Sequence, residues 1–152
     1  MSTGFYSHDL SSTYDQGVDS PECADRVLAI EEQMFVSGLD RLVVRMPSEA
    51  ATFADVLRAH DFSYLETLRN SSLGMGSVRI SEDTTLNASS FEAAMKSAGA
   101  AIQAVRDVIA GRLTNAFVCV RPPGHHAGRA FGHDKAEKAA RDEHEASVRE
   151  TK

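Results

Sequence analysis

Two adjacent histidines, His125 and His126, lie in the run Arg121-Pro122-Pro123-Gly124-His125-His126-Ala127 and are the side chains best suited to moving protons in this chain. Histidine has the unperturbed pKa closest to neutrality, and two in tandem tune each other's titration. Pro122 and Pro123 stiffen the backbone ahead of the pair, and Gly124 is free to adopt positive φ, so the histidines are held in a defined turn. The same residues also fit a surface turn that happens to contain two histidines. Local wording weighs these two readings evenly.

A turn of this kind needs a strand to deliver it. Ala116-Phe117-Val118-Cys119-Val120 is a β-branched and aromatic run cut off by Pro122 and Pro123, which reads as a buried strand with the histidines past its carboxyl end. Open α/β sheets bind their ligands in that place. Ahead of the strand, Ser89-x-x-Glu92 fits a capping box that opens the longest helix, residues 90 to about 110. Phe91, Ala94 or Met95, Ala98, Ile102, Val105 and Ile109 recur at helical spacing, and Gly111 is the stop. The small residues from Ser97 to Ala101 predict close packing on a sheet, with the helix as the crossover of a βαβ unit.

Earlier in the chain, Thr3-Gly4-Phe5-Tyr6-Ser7 is a short β-prone opening, followed by a polar loop from His8 to Ser20. Pro21 is expected to begin a helix with Ser20 as N-cap, with Val27, Leu28, Ile30 and Met34 as its apolar face and Ser37-Gly38 as its end. Leu42-Val43-Val44 makes a second strand. Ser48 is expected to cap a helix from Glu49 to about Ala59, and Asp61 to cap one carrying Phe62, Leu65 and Leu68. Residues 70–87, polar and glycine-rich, read as a long surface loop.

The wording Arg-Pro-Pro-Gly-His-His-Ala resembles the tandem-histidine signature of the arginase/deacetylase superfamily, in particular the zinc-dependent histone deacetylases and their bacterial relatives, the acetylpolyamine amidohydrolases. Ser20-Pro21-Glu22-Cys23-Ala24-Asp25-Arg26 is similar to the family's His-Pro-Glu-x-Pro-x-Arg segment, departing from it at Ser20 and Ala24. His60-x-x-x-Tyr64 is similar to a further family segment, and the Thr3-Gly4-Phe5 opening leans towards the class II-like branch. The resemblance spans roughly residues 3–131.

That resemblance implies an α/β fold, the first strands of a parallel sheet with flanking helices, as part of the three-layer arginase/deacetylase architecture. It implies hydrolysis of an acetyl-lysine or acetylpolyamine amide, with zinc polarising the carbonyl and activating water while His125 and His126 shuttle protons. It further implies that Arg26 points into the interior near the foot of the active-site channel, and that Asp83, on a loop bordering the channel, holds the substrate backbone. Without the family, Arg26 reads as an exposed helix arginine and Asp83 as a solvated loop residue.

Composition narrows the remaining choices. A net charge of −6 over 152 residues opposes binding to a phosphate backbone, so no direct nucleic-acid partner is expected. Cys23 and Cys119 lie in no Cys-x-x-Cys spacing and read as two reduced thiols of an intracellular protein. No apolar run approaches the roughly 20 residues of a membrane span, and the N-terminus has no signal pattern, so a cytoplasmic or nuclear location without a membrane partner is expected.

After Phe131 the composition changes. From His133 to Lys152 only alanines and Val148 are apolar, while Asp134 with Lys138, Glu137 with Arg141 and Glu145 with Arg149 pair at helical spacing. The chain is therefore expected to divide into residues 1–131, the N-terminal segment of a deacetylase-like domain, and residues 132–152, a charged tail that is a solvated helix or disordered. In the family the zinc ligands lie downstream of the tandem histidines. The resemblance thus implies a truncated chain that holds the acid/base half of the chemistry, binds no zinc of its own and is inactive alone. The alternative is a non-catalytic fragment that binds a full-length homologue or another partner through an exposed sheet edge.

Overall fold

The computed structural model describes residues 2–14, 20, 22–74, 76–80, 84–125 and 127–130. Strand β1 (Thr3–Tyr6) leads into a one-turn helix α1 (Leu10–Thr13), inside the stretch expected to be open loop. The Ser12 and Thr13 hydroxyls donate back to the Asp9 carbonyl and close that turn. Helix α2 (Asp25–Val36) starts later than expected, because the Ser20 hydroxyl accepts from the Glu22 backbone N–H in a local turn and does not cap the helix. Gly38, at φ 75°, ends it. Val27 and Met34 face the core as expected, whereas Leu28 and Ile30 do not and are 51% and 37% exposed.

A 3-10 turn (Leu39–Leu42) leads to β2 (Val43–Met46). The helix expected from Glu49 is the short α3 (Phe53–Val56), which Thr52 and Asp55 cap reciprocally. Ser48 is engaged elsewhere, donating to the Ser7 carbonyl at 2.8 Å. Helix α4 (Phe62–Ser72) follows Asp61 and buries Leu65. Within the expected long loop, β3 (Val78–Arg79) and β4 (Thr85–Leu86) form a small antiparallel ladder. Helix α5 (Ser90–Ile109) then crosses to β5 (Asn115–Val118), matching its expected span. Its start is held by Asn87 Oδ1, which accepts from the Ser89 backbone and from the Ser89 and Ser90 hydroxyls, so the expected Ser89–Glu92 box does not form.

The main sheet has the order β2-β1-β5, with both pairings parallel and Thr3 opposite Val43 on one side and Asn115 on the other. The period of the strand sends Phe5 and Tyr6 to opposite faces. Phe5 packs with Val27 and Cys119 under α2, and Tyr6 packs with Ala100, Ala104 and Leu113 under α5. This is an α/β arrangement, a parallel sheet flanked by helices on both faces, as the resemblance implied.

The buried face of α5 differs from the expected one. Ala93, Ser97, Ala100, Ala104 and Asp107 are buried, whereas Val105 and Ile109 are 57% and 82% exposed. Small side chains line the seam because the helix comes very close to residues 49–51. A Cβ on Gly99 would stand 1.9 Å from the Glu49 carbonyl oxygen, and Ala51 donates its backbone N–H to the Met95 carbonyl at 2.8 Å.

Candidate active site at the histidine turn

The histidine turn begins where β5 runs out. Cys119 donates its backbone N–H to the Tyr6 carbonyl at 2.8 Å, and the chain then passes through a cis Arg121–Pro122 bond to Gly124, at φ 74°. Ala127 closes the turn by donating to the Gly124 carbonyl at 3.0 Å. His125 sits on this turn with an exposed side chain, past the carboxyl end of β5. His126 lies outside the described residues.

Arg121 anchors the near side of the turn. Its side chain is only 1% exposed, and a buried guanidinium is stable only when its charge and its donors are matched. Nε donates to both Glu22 carboxylate oxygens at 3.0 and 2.9 Å, Nη1 to the Ser11 and Tyr14 carbonyls at 2.9 and 2.7 Å, and Nη2 to the Glu22 carbonyl at 2.9 Å. The guanidinium also lies over the Tyr14 ring, 5.2 Å from its centroid. Ser11 of helix α1 and Tyr14 just after it, in the stretch expected to be loop, and Glu22, expected inside a helix from Pro21, thus form the cage that holds the turn.

The far side is anchored by the α3–α4 junction. His60 Nδ1 lies 2.8 Å from the Gly128 carbonyl, which can only accept, so Nδ1 carries the proton and donates. Asp61 donates its backbone N–H to the Arg129 carbonyl at 2.9 Å, and its carboxylate pairs with Arg129 Nε at 3.0 Å. The start of the His60-x-x-x-Tyr64 segment, His60 with Asp61, thus holds the backbone just beyond the histidines.

Of the other expected site residues, Arg26 is among the described residues and Asp83 is not. Arg26 does not point into the interior: its side chain is 56% exposed and pairs with Glu22 at 2.9 Å, one helical turn away. Arg121, in contrast, is buried against the same carboxylate. Asp83 and residues 131–152, including the tail, lie outside the described residues. A cleft of about 360 Å³ opens at the carboxyl ends of β1 and β2, lined by Phe5, His8, Val27, Glu31, Arg45 and Met46 among others, and His125 is not among its walls.

A second polar cluster ties β1 to the end of α5. The Tyr6 hydroxyl donates to Asp107, which also accepts from Gln103 at 3.1 Å and from Arg112 Nε at 2.6 Å. Burial, reinforced by the Asp107 hydrogen bond and charge, pushes the Tyr6 phenol up to about 12. The Tyr6 hydrogen bond and Arg112 hold Asp107 below the usual carboxylate range, so a carboxylate facing a neutral phenol is the stable state.

Zinc chemistry needs at least three convergent donors from the protein. Among the described residues, no group of three or more His, Cys, Asp or Glu side chains is placed to hold a metal ion. The described part of the chain therefore does not fit the metal by itself. Among the described residues, no helix is long and apolar enough to cross a membrane.

The histone deacetylase domain matches residues 20–133 of this chain. A probable deacetylase of Archaeoglobus fulgidus is 32% identical over 135 residues, covering 87% of this chain and 37% of that protein. A histone deacetylase-like amidohydrolase of Pseudomonas aeruginosa is 38% identical over 109 residues, covering 71% of this chain and 27% of that protein. The human polyamine deacetylase is 28% identical over 122 residues, covering 74% of this chain and 18% of its own length. Among solved structures, the HDA15 HD domain superposes with a TM-score of 0.78 at 25% identity, over 86% of this chain and 38% of that one. The chain thus spans 18% to 38% of the length of these relatives, and the matched residues 20–133 include β2, β5 and the histidine turn. This chain belongs to the histone deacetylase family.

Proposed function

We propose that this chain supplies the acid/base part of a deacetylase-type amide hydrolysis, with His125 and His126 carrying protons between the attacking water and the leaving amine. The observation that carries the reading is the double anchoring of the turn: buried Arg121 on one side and the His60–Gly128 contact on the other hold an exposed His125 past the end of a parallel strand. Acetyl-lysine peptides and acetylated polyamines are the substrate classes, in keeping with the names of its relatives. Zinc, if part of the working enzyme, takes its ligands from outside the described residues. The deacetylase-like unit is taken to end near residue 131, with Asp83 on its substrate side.

The test is a chimera in which residues 20–133 replace the matching segment of the Pseudomonas amidohydrolase. It is expected to hydrolyse an acetyl-lysine peptide or an acetylpolyamine, and His125→Ala and His126→Ala are each expected to lower kcat by about 10²-fold or more. Unchanged kcat in both variants would overturn the assignment. The 152-residue chain by itself is expected to be inactive on both substrates.

A second reading has its own support. Val44 on β2 and Phe117 on β5, both on outer strands of the sheet, are 46% and 48% exposed, which favours association through a sheet edge. Light scattering of the purified chain, alone and with a full-length relative, tests this; a strictly monomeric chain that ignores the relative sinks it.

A further inference from the structure

Ser97 and His8 form a polar chain that ends on the histidine turn. Ser97, on α5 and 8% exposed, places Oγ 2.7 Å from the Arg121 carbonyl, and His8, past the end of β1, places Nε2 3.0 Å from the same Oγ. A carbonyl can only accept, so the single Ser97 hydroxyl proton goes to Arg121, and Ser97 must accept from His8. Nε2 therefore carries a proton. Nδ1 of His8 is buried and meets no hydrogen-bonding group among the described residues.

We propose that Ser97 is the positioning residue of the histidine turn, fixing the Arg121 carbonyl through a hydroxyl that the neutral imidazole of His8 orients. The inference rests on the reading of that turn as an acid/base site and gives it a control input, the protonation of a residue far from it in sequence. Adding a proton to His8 must put it on Nδ1, where no group among the described residues accepts it. Burial and the Lys96 ammonium on α5 oppose that charge and hold His8 below the ordinary imidazole value; Asp9 on its own loop and the Arg121 carbonyl act the other way but do not prevail. Among the described residues, Glu31 of α2 and Arg45 of β2 are further charged groups lining the same cleft as His8. A charged His8 leaves a buried N–H unsatisfied or swings out of its seat. Either result frees the Ser97 hydroxyl and loosens the Arg121 carbonyl.

The experiment is a pH titration of the uniformly labelled full chain by NMR, following the His8 ring and the Gly124 and Ala127 amides. In the unmodified chain these amides are expected to move with the same midpoint as His8, below 6.5. His8→Gln keeps an N–H donor for Ser97 and cannot titrate, so the turn resonances are expected to hold their neutral-pH positions and lose that transition. Ser97→Ala is expected to leave His8 titrating while the turn amides no longer follow it and are displaced at every pH. A transition at the His8 midpoint that persists in either variant, or is missing from the unmodified chain, overturns the proposal. If Ser97→Ala does not fold, His8→Gln decides alone. Because the readout is the geometry of the turn and not hydrolysis, failure here is separable from failure of the acid/base reading.

Discussion

The Arg121 guanidinium and the Glu22 carboxylate meet at 2.9 Å across 99 residues of sequence, with the arginine 1% and the glutamate 15% exposed. Such a pair is costly to break because the survivor is left charged and buried. Arg121→Met is expected to cost about 3–5 kcal/mol in urea unfolding, and Arg121→Met with Glu22→Gln less than that. Arg121→Lys is expected to behave like a loss, since the three N–H donors of a compact ammonium cannot reproduce the five hydrogen bonds that the planar guanidinium makes to the Glu22 carboxylate and the Ser11, Tyr14 and Glu22 carbonyls. Equal destabilisation by the single and double variants would show that the charge pairing is not what matters.

Gly99→Ala separates helix propensity from packing. In an open helix this change gains up to about 1 kcal/mol. Here the new Cβ would meet backbone atoms of Glu49, Ala50 and Ala51 at 1.9–2.8 Å, and backbone cannot swing aside. A net loss of about 3 kcal/mol or more is expected in denaturant melts. A neutral or stabilising result would mean that α5 does not approach the 49–51 segment so closely.

Tyr6 gives a pH dependence with a definite sign. Its phenol is pushed up to about 12 from 10.0, so between these values the folded chain keeps a proton that the unfolded chain has lost. Stability from this group is complete below pH 10 and is expected to fall as pH rises through that window. Tyr6→Phe removes this slope at the cost of the Asp107 hydrogen bond. Thermal melts from pH 8 to 11.5 would expose the difference, and identical slopes would contradict it.

Cys119 is 4% exposed and burial pushes its thiol up, whereas Cys23 is partly exposed. A thiol-reactive dye is expected to label Cys23 promptly in the folded chain and Cys119 only after denaturant is added. Equal labelling rates under native conditions would place Cys119 outside the core.

The sequence made plain those features whose cause is local. Phe117 and Val118 run into Pro122 and Pro123, so a strand ending in a turn was visible, and α5 has the periodicity to reveal its span. Which face of α5 is buried depended on a tertiary fact. Large residues such as Ile102, Val105 and Ile109 catch the eye, but a helix that nearly touches a neighbouring backbone selects Ala93, Gly99 and Ala100 for the contact. Caps were missed for a related reason: the Ser48 and Ser20 hydroxyls had better acceptors or donors nearby than a helix end. Arg121 was legible as a motif letter but not as an anchor. A cationic residue between an apolar strand and two prolines needs a partner, and that partner lies 99 residues away, beyond any local pattern.

Strand β1 precedes both of its neighbours in sequence and lies between them in space. During synthesis the central strand therefore leaves the ribosome first and waits for its partners. One arrives with Val43, the other only with Asn115, which is 115 − 3 = 112 residues after Thr3. Closing a loop of that length costs about 4 kcal/mol of chain entropy, which only the completed β1–β5 pairing and its helix can offset. The histidine turn hangs on the β1–β5 pairing, so it takes shape only once β5 has been made, and removing residues 3–6 would leave it with no strand to rest on.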